Sequence, residues 1–187
     1  MDYFHLTIAG AALLIGTSAN ATLPIAKNDG CLDGPMAQFG QYLGHWHIAD
    51  SQLAADGSTW TDGAGARWDW VCLGDGTAIQ DYWMPTGGNV GTNLRMWNSE
   101  TNTWDIAWMY KGMKRFAHIT AEHDVQNGNT VLLYQSPVPN PMRRITFFPA
   151  TAEGWKWKME QSTDEGQSWR EVYRIVATPW KEKPPES

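Results

Sequence analysis

The chain has 187 residues, a formal net charge of −6 and 12 Trp among only 18% charged residues. Mild acidity without a basic stripe argues against nucleic acid as a partner, and the length suits one domain. Trp favours the pleated surface of a strand and buries roughly 150–250 Å², so the composition points to an all-β chain with an aromatic interior or an aromatic-lined cavity.

The first 21 residues read as a signal peptide rather than as part of the fold. Leu6 to Ser18 is a short apolar run followed by Ala19-Asn20-Ala21, a small-x-small cleavage pattern that predicts a mature start at Thr22. A retained anchor would need about 20 apolar residues. The sequence therefore predicts a periplasmic or secreted protein with no stable membrane insertion after cleavage. Residues 22–34 are polar and Gly-rich and read as an N-terminal arm. Cys31 and Cys72 are the only cysteines. In an oxidising compartment that even count predicts one disulfide between them. Pro35 to Leu43 reads as one or two helical turns, with Pro35 at the first helical position.

From His45 onward the hydrophobic pattern has period two. Strands are predicted at His45–Ala54, Ala66–Leu73, Thr77–Met84, Val90–Asn98, Thr103–Tyr110, Lys114–His123, Asn129–Gln135, Met142–Phe148, Trp155–Ser162 and Ser168–Thr178. Turn signals lie between them, among them Asp56-Gly57, Asp75-Gly76, Gly87-Gly88 and Asn127-Gly128; Asx-Gly pairs supply the positive φ of tight hairpins. Ser162-x-Asp164-x-Gly166-x-x-Trp169 occurs once and reads as a strong hairpin. About ten strands without intervening helices favour an antiparallel meander, and one this long closes into an up-and-down β-barrel to remove its edges. The barrel domain is expected over 35–178 and a disordered tail over 179–187.

Gly44-His45-Trp46 opens the first strand and resembles the Gly-x-Trp signature of lipocalins and the wider calycin group. Asp81-Tyr82-Trp83, Leu94-Arg95-Met96-Trp97, Trp104 to Trp108 and the final Ser-x-Asp-x-Gly-x-x-Trp extend the resemblance, over about residues 37–178, to a bacterial, lipocalin-like family of unknown function. The Thr-Asp-Tyr motif of the transport lipocalins is absent. The resemblance implies a barrel with a central cavity. It also implies that Trp46 closes one end and packs against an Arg of the last strand, for which Arg174 is the candidate. An Arg plane over an indole is a favourable cation–π contact.

Strand alternation sorts candidate chemistry by face. With Trp46 inward, His45 and His47 face outward, and no third ligand completes a metal site. Phe116, His118 and Thr120 share one face of their strand and form a candidate cavity wall, with His118 as a general acid or base. Arg95, near Trp97 and Trp83, is the candidate for gripping an anionic end of a ligand. No nucleophile elbow, phosphate loop or zinc motif is present. Heme would require His118 or His123 as axial ligand, and no cofactor is expected. The leading functional reading is binding of a small, partly apolar molecule in an aromatic-lined cavity. The alternatives are a cofactor-free enzyme of isomerase, cyclase or hydratase type using His118, and an envelope interaction protein whose barrel is filled by its own rings.

Overall fold

A computed structural model describes residues 28–181 of the protein. The predicted signal peptide, most of the predicted arm and residues 182–187 lie outside this range. Two 3-10 turns, Asn28–Cys31 and Gly34–Met36, lead into a one-turn helix α1 (Ala37–Gly40). Eleven strands follow among the described residues: β1 (Gly44–Leu53), β2 (Trp60–Asp62), β3 (Ala66–Leu73), β4 (Ala78–Pro85), β5 (Gly91–Asn98), β6 (Thr103–Tyr110), β7 (Ala117–Asp124), β8 (Asn129–Ser136), β9 (Met142–Phe147), β10 (Trp155–Ser162) and β11 (Arg170–Pro179). No helix in this range is long and apolar enough to cross a membrane.

Strands β3 to β11 pair in sequence order, all antiparallel. β1 pairs with β3 on one side and with β11 on the other, which closes a ten-strand barrel. This is the up-and-down topology of the calycins. β2 is an addition that the hydrophobic pattern does not announce. It is three residues long and pairs with Ser51–Leu53 of β1, beyond the stretch of β1 that β3 covers. Two other strands start two or more residues later than alternation predicts. β7 begins at Ala117, leaving Lys114 to Phe116 in the preceding hairpin loop, and β11 begins at Arg170 because Ser168 and Trp169 belong to the turn before it. There Asp164 accepts hydrogen bonds from the Ser168 backbone and hydroxyl, and Gly166 takes φ 89°.

Most strands bury mainly one parity of side chains. β3 is the clearest: Ala66, Trp68, Trp70 and Cys72 are buried and the residues between them are only partly covered. A one-residue slip would turn all four outward, so the register is strongly specified. Six Trp are buried in the interior, at 46, 68, 70, 104, 155 and 157, and Trp83, Trp97 and Trp108 pack against them.

The rings are not spread evenly along the barrel axis. The N-terminal turns lie across one end and drive Phe39 and Tyr42 into it. Phe39 meets Trp104 edge-on at 4.9 Å and Phe147 edge-on at 5.6 Å; Tyr42 lies 4.9 Å from Trp155 and donates its hydroxyl to the Phe148 carbonyl. Pairs in such geometry contribute roughly 0.5–1.5 kcal/mol each beyond the area they bury. Trp104 Nε1 donates to Gln38 Oε1, which fixes the plug to the wall. The predicted Cys31–Cys72 disulfide is present, with Cα atoms 5.9 Å apart, and ties the plug to β3. Closing a loop of this length stabilises by about 4 kcal/mol in the chain-entropy picture. The plug sits close: a Cβ at Gly40 would lie 1.7 Å from the Cys31 carbonyl oxygen.

Trp46 belongs to this closed end, as the calycin resemblance implies. Its Nε1 donates to the Tyr42 carbonyl at 2.7 Å and its ring meets Trp155 edge-on at 5.8 Å. The implied partner is corrected. Arg174 faces outward, opposite Ser51, and its guanidinium lies over Trp60 at 3.9 Å. Trp46 sits five ladder positions from Ser51, so the two cannot meet. Trp46→Ala is expected to cost about 3–5 kcal/mol and Arg174→Ala less than about 0.5 kcal/mol, as for an ordinary surface change. Urea unfolding of the single and double variants should give additive losses. A coupling above about 0.5 kcal/mol would contradict this placement.

Candidate ligand cavity

The plug reaches only part of the way up the barrel. Beyond it the interior opens into a cavity of about 310 Å³. Its walls are mostly rings: Trp68, Trp83, Trp108, Trp157, Tyr134 and Tyr173, with Phe147, Ile119 and Leu132 towards the floor. The lining residues come from nearly every strand, and the register places the Trp side by side. Trp68 is the ladder partner of Trp83 and their rings meet edge-on at 5.0 Å. Trp157 meets Tyr173 edge-on at 5.6 Å. The space exists because small residues face inward between the large ones. Ala117 lies opposite Trp108, and Gly91 lies under it: a Cβ at Gly91 would come within 2.2 Å of the Trp108 ring.

Two arginines line the cavity, and their surroundings differ. Arg95, from β5, is at the floor and 1% exposed. Its Nη1 lies 2.5 Å from Asp81 Oδ2, and its guanidinium stacks over Trp70 at 4.1 Å and Phe39 at 4.9 Å. Asp81 accepts three further hydrogen bonds from Asn93, one from the backbone and two from the side-chain amide. Burial pulls the Arg95 guanidinium below its ordinary value, and the Asp81 carboxylate opposes that shift. Arg143, from the start of β9, is in the wall nearer the mouth and half-buried. Its Nε is buried without a hydrogen-bond partner among the described residues. Tyr134 stands beside it; burial raises that phenol above its ordinary value and the Arg143 charge works against the rise. Tyr173 donates its hydroxyl to Asp50 Oδ2 at 2.7 Å, and burial, reinforced by that carboxylate, holds the phenol protonated.

The residues singled out from the sequence divide between the two faces. Trp83 is in the cavity wall and Arg95 in its floor. Arg95 is already paired with Asp81, which alternation could not reveal. Trp97 is at the closed end, edge-on to Trp104 at 5.7 Å, and does not reach the cavity. The candidate wall of Phe116, His118 and Thr120 is corrected: all three lie outside. Phe116 is exposed in the loop before β7. His118 Nε2 lies 2.8 Å from Asp105 Oδ1 with both side chains more than 40% exposed (41% and 44%). Thr120 accepts a hydrogen bond from Gln135. The inward residues of β7 are Ala117, Ile119 and Ala121. The reason is on the neighbouring strand, where Trp108 stands opposite Ala117 and Trp104 opposite Ala121. The two indoles take the space that inward-facing Phe, His or Thr would need. His118 and Arg95 are thus on opposite faces of the sheet.

Arg143, Tyr134, Tyr173 and the Asp81–Asn93 pair were not foreseen. A signal for Arg143 was present: it shares its parity with Ile145 and Phe147, while Arg144 beside it faces the other way, pairs with Glu160 and covers Trp169 at 4.5 Å.

No protein-family model matches this chain, and no curated protein does. Solved structures do. The S-type phycobiliprotein lyase CPES from Guillardia theta is 10% identical, with a TM-score of 0.55, covering 82% of this chain and 97% of that one. Rv2717c from M. tuberculosis is 7% identical, with a TM-score of 0.53, covering 80% and 99%. The protein shares its barrel fold with both over nearly their whole length. At such identities the likeness is one of fold alone.

The floor is testable without a ligand. Asp81→Ala leaves a buried guanidinium without its counter-ion and is expected to cost about 3–5 kcal/mol. Asp81→Leu combined with Arg95→Met removes both charges and is expected to recover most of that loss. Chemical unfolding measures both; a double variant no more stable than Asp81→Ala would contradict the pairing.

Proposed function

We propose that this protein binds a small, partly apolar molecule in the open half of its barrel. The observation that carries the reading is the uneven filling of the interior. One end is packed solid by Phe39, Tyr42 and the rings around them, while the other keeps a ring-lined space of about 310 Å³. That volume is at the lower end of the ~300–1,000 Å³ usual for small-molecule sites. A barrel serving only as a filled scaffold would have no reason to leave it. Binding is favoured over general acid–base catalysis because no His, Asp, Glu or Cys is among the lining residues, and His118 faces outward. We also propose that the protein acts in the periplasm or outside the cell. The Cys31–Cys72 bridge supports this, since disulfides persist in oxidising compartments.

The test uses N-phenyl-1-naphthylamine, an uncharged two-ring probe with a phenyl arm. Trp68, Trp83, Trp108 and Trp157 lie in the wall, so a bound probe should quench their emission saturably at one molecule per chain. Met159 also lines the cavity and is only partly buried. Met159→Trp fills the space and is expected to weaken the probe by about tenfold or more, one unit of about 1.4 kcal/mol, with the far-UV circular dichroism spectrum unchanged. Absence of saturable binding, or binding indifferent to Met159→Trp, would overturn the proposal.

A further inference from the structure

The cavity carries an unbalanced charge. Of its two guanidinium groups, that of Arg95 is matched by Asp81. Arg143 forms no ion pair with any carboxylate among the described residues, and its Nε is buried without a partner. Glu160, on the strand that pairs with that of Arg143, and Asp50, beside the lining residue Tyr173, are already engaged. Glu160 takes Arg144 and Lys158, and Asp50 takes the Tyr173 hydroxyl and the Gly65 backbone. A buried donor of a charged group left unmade is costly, and natural interiors avoid it unless something else supplies the acceptor.

We propose that Arg143 is the anion contact of this cavity, and that the ligand is a flat, largely apolar molecule bearing one carboxylate, sulfonate or phosphate group at the end nearest the mouth. This rests on the ligand-binding reading given above. The walls supply stacking area for the flat body. Arg143 supplies a planar fork of donors, which matches the oxygen pairs of these groups better than an ammonium does. The Tyr134 hydroxyl, held protonated by burial, accepts a hydrogen bond from the Arg143 guanidinium and keeps its own proton to donate to a bound anion. Arg95 is the weaker candidate although it lines the same space. Its Nε and Nη1 also lack hydrogen-bond partners beyond the ion contact with Asp81, so what separates the two is charge: an anion at Arg95 would meet a pair that is already neutral and would compete with a carboxylate fixed by three hydrogen bonds from Asn93. The loop at the same end carries Lys111, Lys114 and Arg115, the one compact basic cluster of an acidic chain. A local positive field at the mouth of a negatively charged protein would speed the approach of such a ligand.

The experiment compares two probes with the same rings. 8-Anilinonaphthalene-1-sulfonate carries an anion; N-phenyl-1-naphthylamine does not. Both are titrated into the unaltered protein and into Arg143→Met, which keeps a flexible, unbranched side chain along the wall and loses the guanidinium and its charge. Arg143→Met is expected to weaken the sulfonate by about tenfold or more, the loss of a charge-assisted hydrogen bond, and to leave the neutral probe within about twofold. Equal weakening of both probes, or a sulfonate affinity changed less than about threefold, overturns the proposal while the cavity reading stands. If the neutral probe fails to bind the unaltered protein, it is the cavity reading that falls. Arg143→Lys keeps the charge and serves if the Met variant does not fold. It should weaken the sulfonate at least about threefold more than the neutral probe, since one ammonium replaces the fork; an equal effect overturns the assignment of Arg143.

Discussion

Asp81 and Arg95 form an ion pair in the middle of an aromatic core, with the Arg95 guanidinium held against the faces of Trp70 and Phe39. Much of the rest of the structure follows from that arrangement. The pair is buried, so it persists only because each charge has its opposite beside it and Asn93 fills the remaining acceptor positions of the carboxylate, while the guanidinium Nε and Nη1 lie against aromatic faces with no hydrogen-bond partner beyond that ion contact. Its position also marks a level in the barrel. Below it lie Phe39, Tyr42 and the rings of the plug; above it lies the open space. A polar group that must keep its partners cannot slide along the axis as a hydrophobic side chain can. It therefore fixes how far the plug enters and where the cavity begins.

The strands and their closure were legible because they rest on local rules. Alternation, Asx-Gly turns and the absence of a helical period located ten strands, and the need to remove sheet edges implied the barrel. The disulfide followed from a count of two and from compartment. What failed was the choice of face wherever both parities looked plausible. On β7, Phe116, His118 and Thr120 seemed a better wall than Ala117, Ile119 and Ala121. The choice is made by Trp104 and Trp108 on the adjoining strand, and cross-strand pairing is not visible from one strand alone. Arg174 failed for a related reason. Its strand was right, but β11 is ten residues long and the register sets Arg174 against Ser51, far from Trp46. β2 was missed because three residues in a polar, Gly-rich stretch carry no periodicity to read.

The barrel is shared with proteins only 7–10% identical over most of their length, so the fold carries little information about use. What is particular to this chain is the inventory of inward side chains near the mouth. Gly91 and Ala117 leave room for Trp108, Tyr173 is committed to Asp50, and Arg143 has no carboxylate partner among the described residues and an Nε without an acceptor. Each has a counterpart facing outward one residue away, and the difference between a wall and a surface is the parity of a single strand. The outward pair His118–Asp105 illustrates the other side of that rule. It is a well-formed hydrogen bond with much of both groups in solvent, where the two charged or polar groups add little.

Ligand binding here rests on an open half-barrel with a cation in its wall. The most direct measurement is a crystal structure of the protein soaked with 8-anilinonaphthalene-1-sulfonate. Electron density is expected for the rings between Trp83, Trp108 and Tyr134, with the sulfonate within hydrogen-bond reach of Arg143. Density for the probe only on the outer surface, or an interior in which the rings have closed over the space and shut the probe out, would contradict it.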